Sequence, residues 1–360
     1  MGSDVGPTGA PTYTASGWCD YRSLGASVSA LGDINADGYA DFAFGKRANG
    51  SSSYSYRGGA FKIYLGGGND SDGVHKEYAN INRSSGHSLG EAIAPAGDIN
   101  GDGYADYIYG NDGWDNGLTN QGIVRVVYGG PSGGLGDSPK DTVHPTDEDE
   151  ANFGHSVSHV GDINGDGYHD IAIGAPDVDG EGTDRGAVYV YMGNPTGIDD
   201  EPAVTLTTAI NEANFGESVS GGWDVNGDGY GDLVVGAPGY TGSHVGEGAA
   251  FLYLGSADGL ATSPAWNKLG GQAGAGFGST VAMLGDINGD AMADLAVSAP
   301  EYDGGETDEG RVQVWHGTIT GFGASPAWSK ESDQAGAEFG RGLANAGDVN
   351  GDGYWDLVIG

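Results

Sequence analysis

One cysteine in 360 residues, Cys19, excludes an intrachain disulfide and any zinc site built on cysteine. Basic residues are scarce as well: 14 Lys and Arg stand against 51 Asp and Glu, for a formal net charge of −37. Such a surface repels a phosphate backbone, so nucleic acid is a poor partner, and anionic membranes are disfavoured for the same reason. No run of 18 apolar residues occurs, so no helix inserts into a membrane, and the start MGSDVGPTGAPTY lacks the basic and apolar regions of a secretory signal. The chain reads as soluble, with any export signal removed. A 3.6-residue apolar period is also missing, which argues against helical repeat arrays. No nucleophile elbow, phosphate loop or zinc signature is present, and no enzyme is expected. His155, His159 and His169 have no evident carboxylate partner outside the acidic loops described below and read as surface residues.

Glycine, by contrast, supplies 72 residues while aromatics hold at 10%, a combination that signals many tight turns around a real core. About a third of the acids fall at fixed spacing. A nine-residue string recurs six times: DINADGYAD from Asp33, DINGDGYAD from Asp98, DINGDGYHD from Asp162, DVNGDGYGD from Asp224, DINGDAMAD from Asp286 and DVNGDGYWD from Asp348. Their starts lie 65, 64, 62, 62 and 62 residues apart, a period that no local turn preference sustains.

Each string is preceded by a short alternating run, as in FGHSVSHVG, and followed by an apolar one, as in DIAIGAP, so each unit reads strand, turn, strand. A third strand signal follows in GAFKIYLG, GIVRVVYG, GAVYVYMG, GAAFLYLG and GRVQVWHG, and a fourth, weaker one around SPAWNKL and SPAWSKE. Four strands in each repeat describe a propeller blade, and a ring of blades also shields strand edges. The expected fold is all-β: one β-propeller domain over residues 1–360, of four-stranded antiparallel blades, with six blade units as given. The last unit ends after its second strand, and residues 11–18 read as an outer strand able to close it.

The strings place oxygen donors at alternate positions of a tight turn. Position 1 is Asp33, Asp98, Asp162, Asp224, Asp286 or Asp348; position 3 is Asn35, Asn100, Asn164, Asn226, Asn288 or Asn350. Position 5 is Asp37, Asp102, Asp166, Asp228, Asp290 or Asp352, and position 9 is Asp41, Asp106, Asp170, Asp232, Asp294 or Asp356. The backbone carbonyl of position 7 (Tyr39, Tyr104, Tyr168, Tyr230, Met292, Tyr354) adds a further donor. An all-oxygen shell of roughly six or seven donors suits Ca²⁺, whereas Mg²⁺ demands stricter octahedral geometry and zinc wants His or Cys. Up to six ions are expected. Glycine at position 6 supplies the left-handed backbone that wraps the ion; the fifth loop has Ala291 there, at a cost of about 1 kcal/mol, and should be the weakest site.

An EF-hand would need Glu at position 12, and Phe44, Tyr109, Ile173, Val235, Val297 and Ile359 stand there instead. The alternative to metal is a plain hairpin turn, since Asn-Gly and Asp-Gly favour one. Six copies that also keep the first and ninth Asp argue against it, because a bare turn has no evident use for a distal carboxylate.

Together these features resemble the FG-GAP repeats of integrin alpha-subunit propellers and their bacterial relatives. The FG element stands at Phe153-Gly154, Phe215-Gly216, Phe277-Gly278 and Phe339-Gly340, weakened to Leu24-Gly25 and Leu89-Gly90. The GAP element stands at Gly174-Ala175-Pro176 and Gly236-Ala237-Pro238, shifts to Ser298-Ala299-Pro300, and is lost from the first two repeats. The resemblance implies calcium in the inner hairpins and a role in adhesion or ligand recognition outside the cell or at its surface. It also implies seven blades, so the chain reads either as six units or as part of a longer ring. A protein or glycan ligand is expected on the face opposite the calcium loops. Candidate contacts there are Tyr54, Tyr56, Arg57, Trp114, Tyr240, His244 and Tyr302 in the loops joining second to third strands. A sugar-binding reading rests on Trp266 and Trp328, whose equivalent repeat positions fit blade packing better. A third reading is part of a calcium-dependent polysaccharide-active enzyme.

Overall fold

A computed structural model describes residues 24–46, 60–66, 75–78, 92–115, 117–134, 141–144 and 148–360. The alternating runs and apolar runs of the sequence become antiparallel strands, assembled blade by blade into a β-propeller. The first blade is β1 (Leu24–Gly32), β2 (Asp41–Lys46), β3 (Ala60–Leu65) and β4 (His75–Tyr78). The second is β5 (Ile93–Gly97), β6 (Asp106–Asn111), β7 (Ile123–Val127) and β8 (Asp141–Val143). The third is β9 (Ser156–Gly161), β10 (Asp170–Ala175), β11 (Ala187–Tyr191) and β14 (Val204–Thr207), with the two-residue strands β12 (Gly193–Asn194) and β13 (Gly197–Ile198) forming a hairpin inside its last connection.

The fourth blade is β15 (Ser218–Trp223), β16 (Asp232–Ala237), β17 (Ala249–Tyr253) and β18 (Trp266–Leu269). The fifth is β19 (Val281–Gly285), β20 (Asp294–Ala299), β21 (Arg311–Trp315) and β24 (Trp328–Glu331), again with a small hairpin, β22 (Gly317–Thr318) and β23 (Gly321–Phe322). A two-stranded sheet, β25 (Leu343–Gly347) and β26 (Asp356–Ile359), follows. The described residues thus hold five complete blades and the inner hairpin of a sixth, and the third and fourth strand signals fall where the sequence put them.

Second strands run buried along their whole length in blades two to five, because both faces are covered by neighbouring blades. Alternate residues serve different interfaces: Ile171 and Ile173 pack toward the second blade with Ile108 and Val124, while Ala172 packs toward the fourth with Leu233 and Val235. This is why these strands read as unbroken apolar runs instead of alternating ones.

The two glycine motifs acquire a physical reason in the same interfaces. Phe153, Phe215 and Phe277 of the FG elements are buried between blades. The glycine that opens each GAP element faces the FG glycine of the following blade so closely that a Cβ on Gly174 would lie 2.1 Å from the Gly216 carbonyl oxygen, and one on Gly236 would lie 2.0 Å from that of Gly278. Gly110 meets Gly154 in the same way at 1.9 Å, so the second repeat keeps the glycine although Asn111 and Asp112 replace the Ala-Pro that follows.

Candidate metal centre

All six acidic loops join a first strand to a second strand and adopt one conformation. Asp at position 1 curls back over the turn. Its Oδ1 accepts the N–H of position 5, and the Asn Oδ1 at position 3 accepts the same N–H, all at 2.8–3.2 Å. Its Oδ2 accepts the N–H of position 6 at 2.7–2.9 Å. The Asn amide donates to Oδ2 of the position-5 Asp at 2.8–3.1 Å. Side chains 1, 3 and 5 are therefore gathered on the inner side of the turn, as alternate positions predict. For Asp348 the N–H donors, led by Gly353, hold the carboxyl below its ordinary pKa, which keeps it anionic.

Position 6 has positive φ throughout, from +88° to +92° at its glycines, and Ala291 adopts it too at +69°. Position 4 is also left-handed in every loop, which the sequence argument overlooked. It is glycine in five loops, but Ala36 sits there at φ +55° in the first. Backbone strain thus burdens the first loop as well as the fifth.

The ninth Asp plays a part the sequence argument denied to a plain turn. Asp41, Asp106, Asp170, Asp232 and Asp294 are fully buried. One oxygen accepts the N–H of loop position 2 at 2.8–3.0 Å. The other accepts the N–H of the glycine one or two residues beyond the third strand of the same blade, Gly66, Gly129, Gly193, Gly255 or Gly317, at 2.7–2.9 Å. A buried carboxylate therefore ties turn to third strand whether or not a metal is present. Burial pushes the Asp106, Asp170 and Asp232 carboxyls up to about 7, against the two N–H donors that favour the anion. Asp356 lies in the two-stranded unit, and among the described residues it accepts the Val349 N–H alone, at 2.9 Å.

Among the described residues no three Asp, Glu, His or Cys side chains are gathered as a ready-made metal cage. The donor set of the loops nevertheless suits a hard cation: every candidate ligand is oxygen, positions 1, 3 and 5 point inward together, and a carboxylate retains lone pairs beyond the N–H bonds it accepts.

On the opposite face, several expected contacts prove to be packed. Trp114, Tyr240 and Tyr302 occupy one repeat position and lie against the third strand: the Arg125 guanidinium is 5.2 Å from the Trp114 ring centre, Phe251 is 5.5 Å from Tyr240, and Arg311 is 3.6 Å from Tyr302. His244 is exposed beside the buried Glu247, at 3.3 Å. Tyr54, Tyr56 and Arg57 lie outside the described residues, as do Cys19, residues 11–18 and the Leu89-Gly90 element. Trp266 packs on Trp315 and Phe322 and donates to the Gly323 carbonyl at 3.1 Å, so it is a blade-packing residue; Trp328 remains 44% exposed.

The three histidines are not free surface groups. His169 accepts the Asp98 N–H through Nδ1 at 3.0 Å, and burial followed by the neighbouring His169 lowers His159 to about 4. His155 bridges three blades, with Nδ1 3.0 Å from Asp112 and Nε2 3.4 Å from Glu217. Burial opposes its charge, but the two carboxylates outweigh burial and push the imidazole up to about 10. A folded pKa above the unfolded one, about 6.5, stabilises fully below pH 6.5 and is lost as pH rises through 10. The melting difference between wild type and His155→Gln is therefore expected to be largest near pH 6.5 and to shrink steadily toward pH 10. A difference constant across that range would show that His155 acts through packing alone.

The blades joined in succession by these FG and GAP contacts are the part of the chain that a family profile described as FG-GAP repeat matches, at residues 153–191, 215–253 and 277–315. The chain is also similar to integrin alpha-V of Gallus gallus, 35% identical over 221 residues, which is 59% of this chain and 20% of that protein. Similarity to integrin alpha-PS2 of Drosophila melanogaster is 33% over 240 residues, 62% of this chain and 16% of that one, and to integrin alpha-PS5 of the same organism 36% over 163 residues. The chain therefore carries FG-GAP repeats on a β-propeller and is similar, over part of its length, to integrin alpha subunits. Its matches span a fifth or less of the length of these relatives.

Proposed function

We propose that the chain is a calcium-binding, non-catalytic recognition propeller that works outside the cell and offers the face opposite its acidic loops to a protein ligand. The observation that carries the reading is the repetition of one oxygen arrangement in all six loops, down to the shared N–H between positions 1 and 3. Asp at 1, Asn at 3, Asp at 5, the carbonyl of 7 and Asp at 9 would hold each ion. A bound divalent ion supplies positive charge that neutralises carboxylates crowded in one turn. Six such ions would offset twelve of the negative charges in a net −37.

Chemistry as well as resemblance supports a location outside the cell. Sites built on exposed loops suit the millimolar calcium found there, since extracellular calcium modules bind in the 10⁻⁴–10⁻³ M range. A protein ligand is favoured over a sugar because one of the two stacking candidates, Trp266, is spent on blade packing, which leaves Trp328 alone exposed. Titrating calcium into chelator-treated chain by calorimetry should give saturable binding of up to six ions. A flat titration would end the proposal.

A further inference from the structure

The six loops are not independent turns. From one blade to the next, the N–H of position 8 donates to the carbonyl of position 1 in the preceding loop: Ala105 to Asp33 at 3.2 Å, His169 to Asp98 at 3.1 Å, Gly231 to Asp162 at 3.0 Å, Ala293 to Asp224 at 2.9 Å and Trp355 to Asp286 at 3.4 Å. The side chain of position 7 also reaches back. Tyr168 lies against Gly101, Tyr230 against Gly165 and Tyr354 against Gly289, each so near that a Cβ on the glycine would fall 2.7–2.8 Å from the ring. That glycine is position 4 of the preceding loop, in the left-handed backbone between the Asn and the Asp that face inward. At the fourth loop the ring is missing, because Met292 replaces tyrosine and its Cγ stands 4.0 Å from a Cβ placed on Gly227.

We propose that each loop positions the cation site of the loop before it, so that calcium fills neighbouring loops cooperatively, with the link between the fourth and fifth loops the weakest. The position-7 tyrosine is the positioning residue: its carbonyl belongs to its own loop while its ring presses on the neighbour's position 4. An ion that orders positions 7 to 9 therefore also fixes the ring and the position-8 N–H that hold the preceding loop in its donor geometry. Coupling of this kind requires only that each ion favour one arrangement of a shared contact. The inference rests on the calcium reading of the loops.

The test follows single loops in the full chain by amide NMR while calcium alone is titrated. In Tyr230→Ala the Gly165 and Gly167 resonances of the third loop should shift at a calcium concentration roughly three- to tenfold higher than in wild type, at the lower end of the coupling found between residues in contact. The first loop should keep its midpoint. Tyr230→Phe, which retains the ring, should restore the third loop, and Met292→Tyr should lower the midpoint of the fourth. A purely structural role would lower the calcium-free melting temperature of Tyr230→Ala without moving the third-loop midpoint, and that result overturns the coupling. If no loop of the wild-type chain responds to calcium, the cation reading falls and the coupling with it.

Discussion

Chelating divalent ions with EGTA should lower the melting temperature of this chain by more than about 10 °C. Each site held at a hundredfold excess over its dissociation constant contributes about 2.7 kcal/mol, and each kcal/mol moves the midpoint of a domain this large by about 1.3 °C. Several occupied loops acting on one cooperative unit add up quickly. The charge balance points the same way, because 51 acidic residues against 14 basic ones repel one another most strongly in the six loops. Calorimetric melting in calcium, in EGTA, and in EGTA followed by excess calcium measures the effect and its reversal. An unchanged midpoint would remove calcium from the account of this fold.

The second large effect separates the metal from the scaffold. In the fourth loop Asp228 is exposed at position 5 while Asp232 is buried at position 9, bonded to the N–H groups of Val225 and Gly255 at 2.8 and 2.9 Å. Asp232→Ala leaves two backbone donors unpaired and should cost about 2–5 kcal/mol in EGTA, and in calcium that cost together with the stabilisation of the ion it helps to hold. Asp228→Ala removes one of several crowded negative charges and should be neutral or mildly stabilising in EGTA. In calcium it should lose the stabilisation that this one ion supplies. Urea unfolding of both variants in the two buffers gives the four values. Equal losses for Asp228→Ala in both buffers would make its carboxylate a structural group and not a ligand.

Much of this architecture is legible in the sequence because a repeat multiplies weak signals. One NGDG turn says little, whereas six at a constant interval, with apolar runs on both sides, specify hairpin, blade and ring. Even the fourth strands, marked only by Trp266 and Trp328 and their neighbours, emerge from comparison between repeats. What stayed hidden depends on contacts across blades. Nothing near Asp232 in the chain announces that its carboxylate caps Gly255, which lies 23 residues on. The left-handed backbone at Ala36 was masked by an alanine, a residue that gives no turn signal. His155 looked unpartnered because Asp112 and Glu217 belong to other blades, 43 and 62 residues away along the chain. Aromatic loop residues such as Trp114 and Tyr302 resembled recognition groups, since a sequence does not say that an arginine on the next strand lies against the ring.

The near-contact of Gly174 with the Gly216 carbonyl, repeated between Gly236 and Gly278, fixes the step from blade to blade through main chain alone. At the following step Ser298 stands in place of the first glycine, its Cβ 2.8 Å from where a Cβ on Gly340 would lie, so there the FG glycine alone leaves the room. The surface loops can therefore change from blade to blade while main chain sets the step between blades. Diversity of surface and constancy of shape are thereby assigned to different atoms of the same repeat.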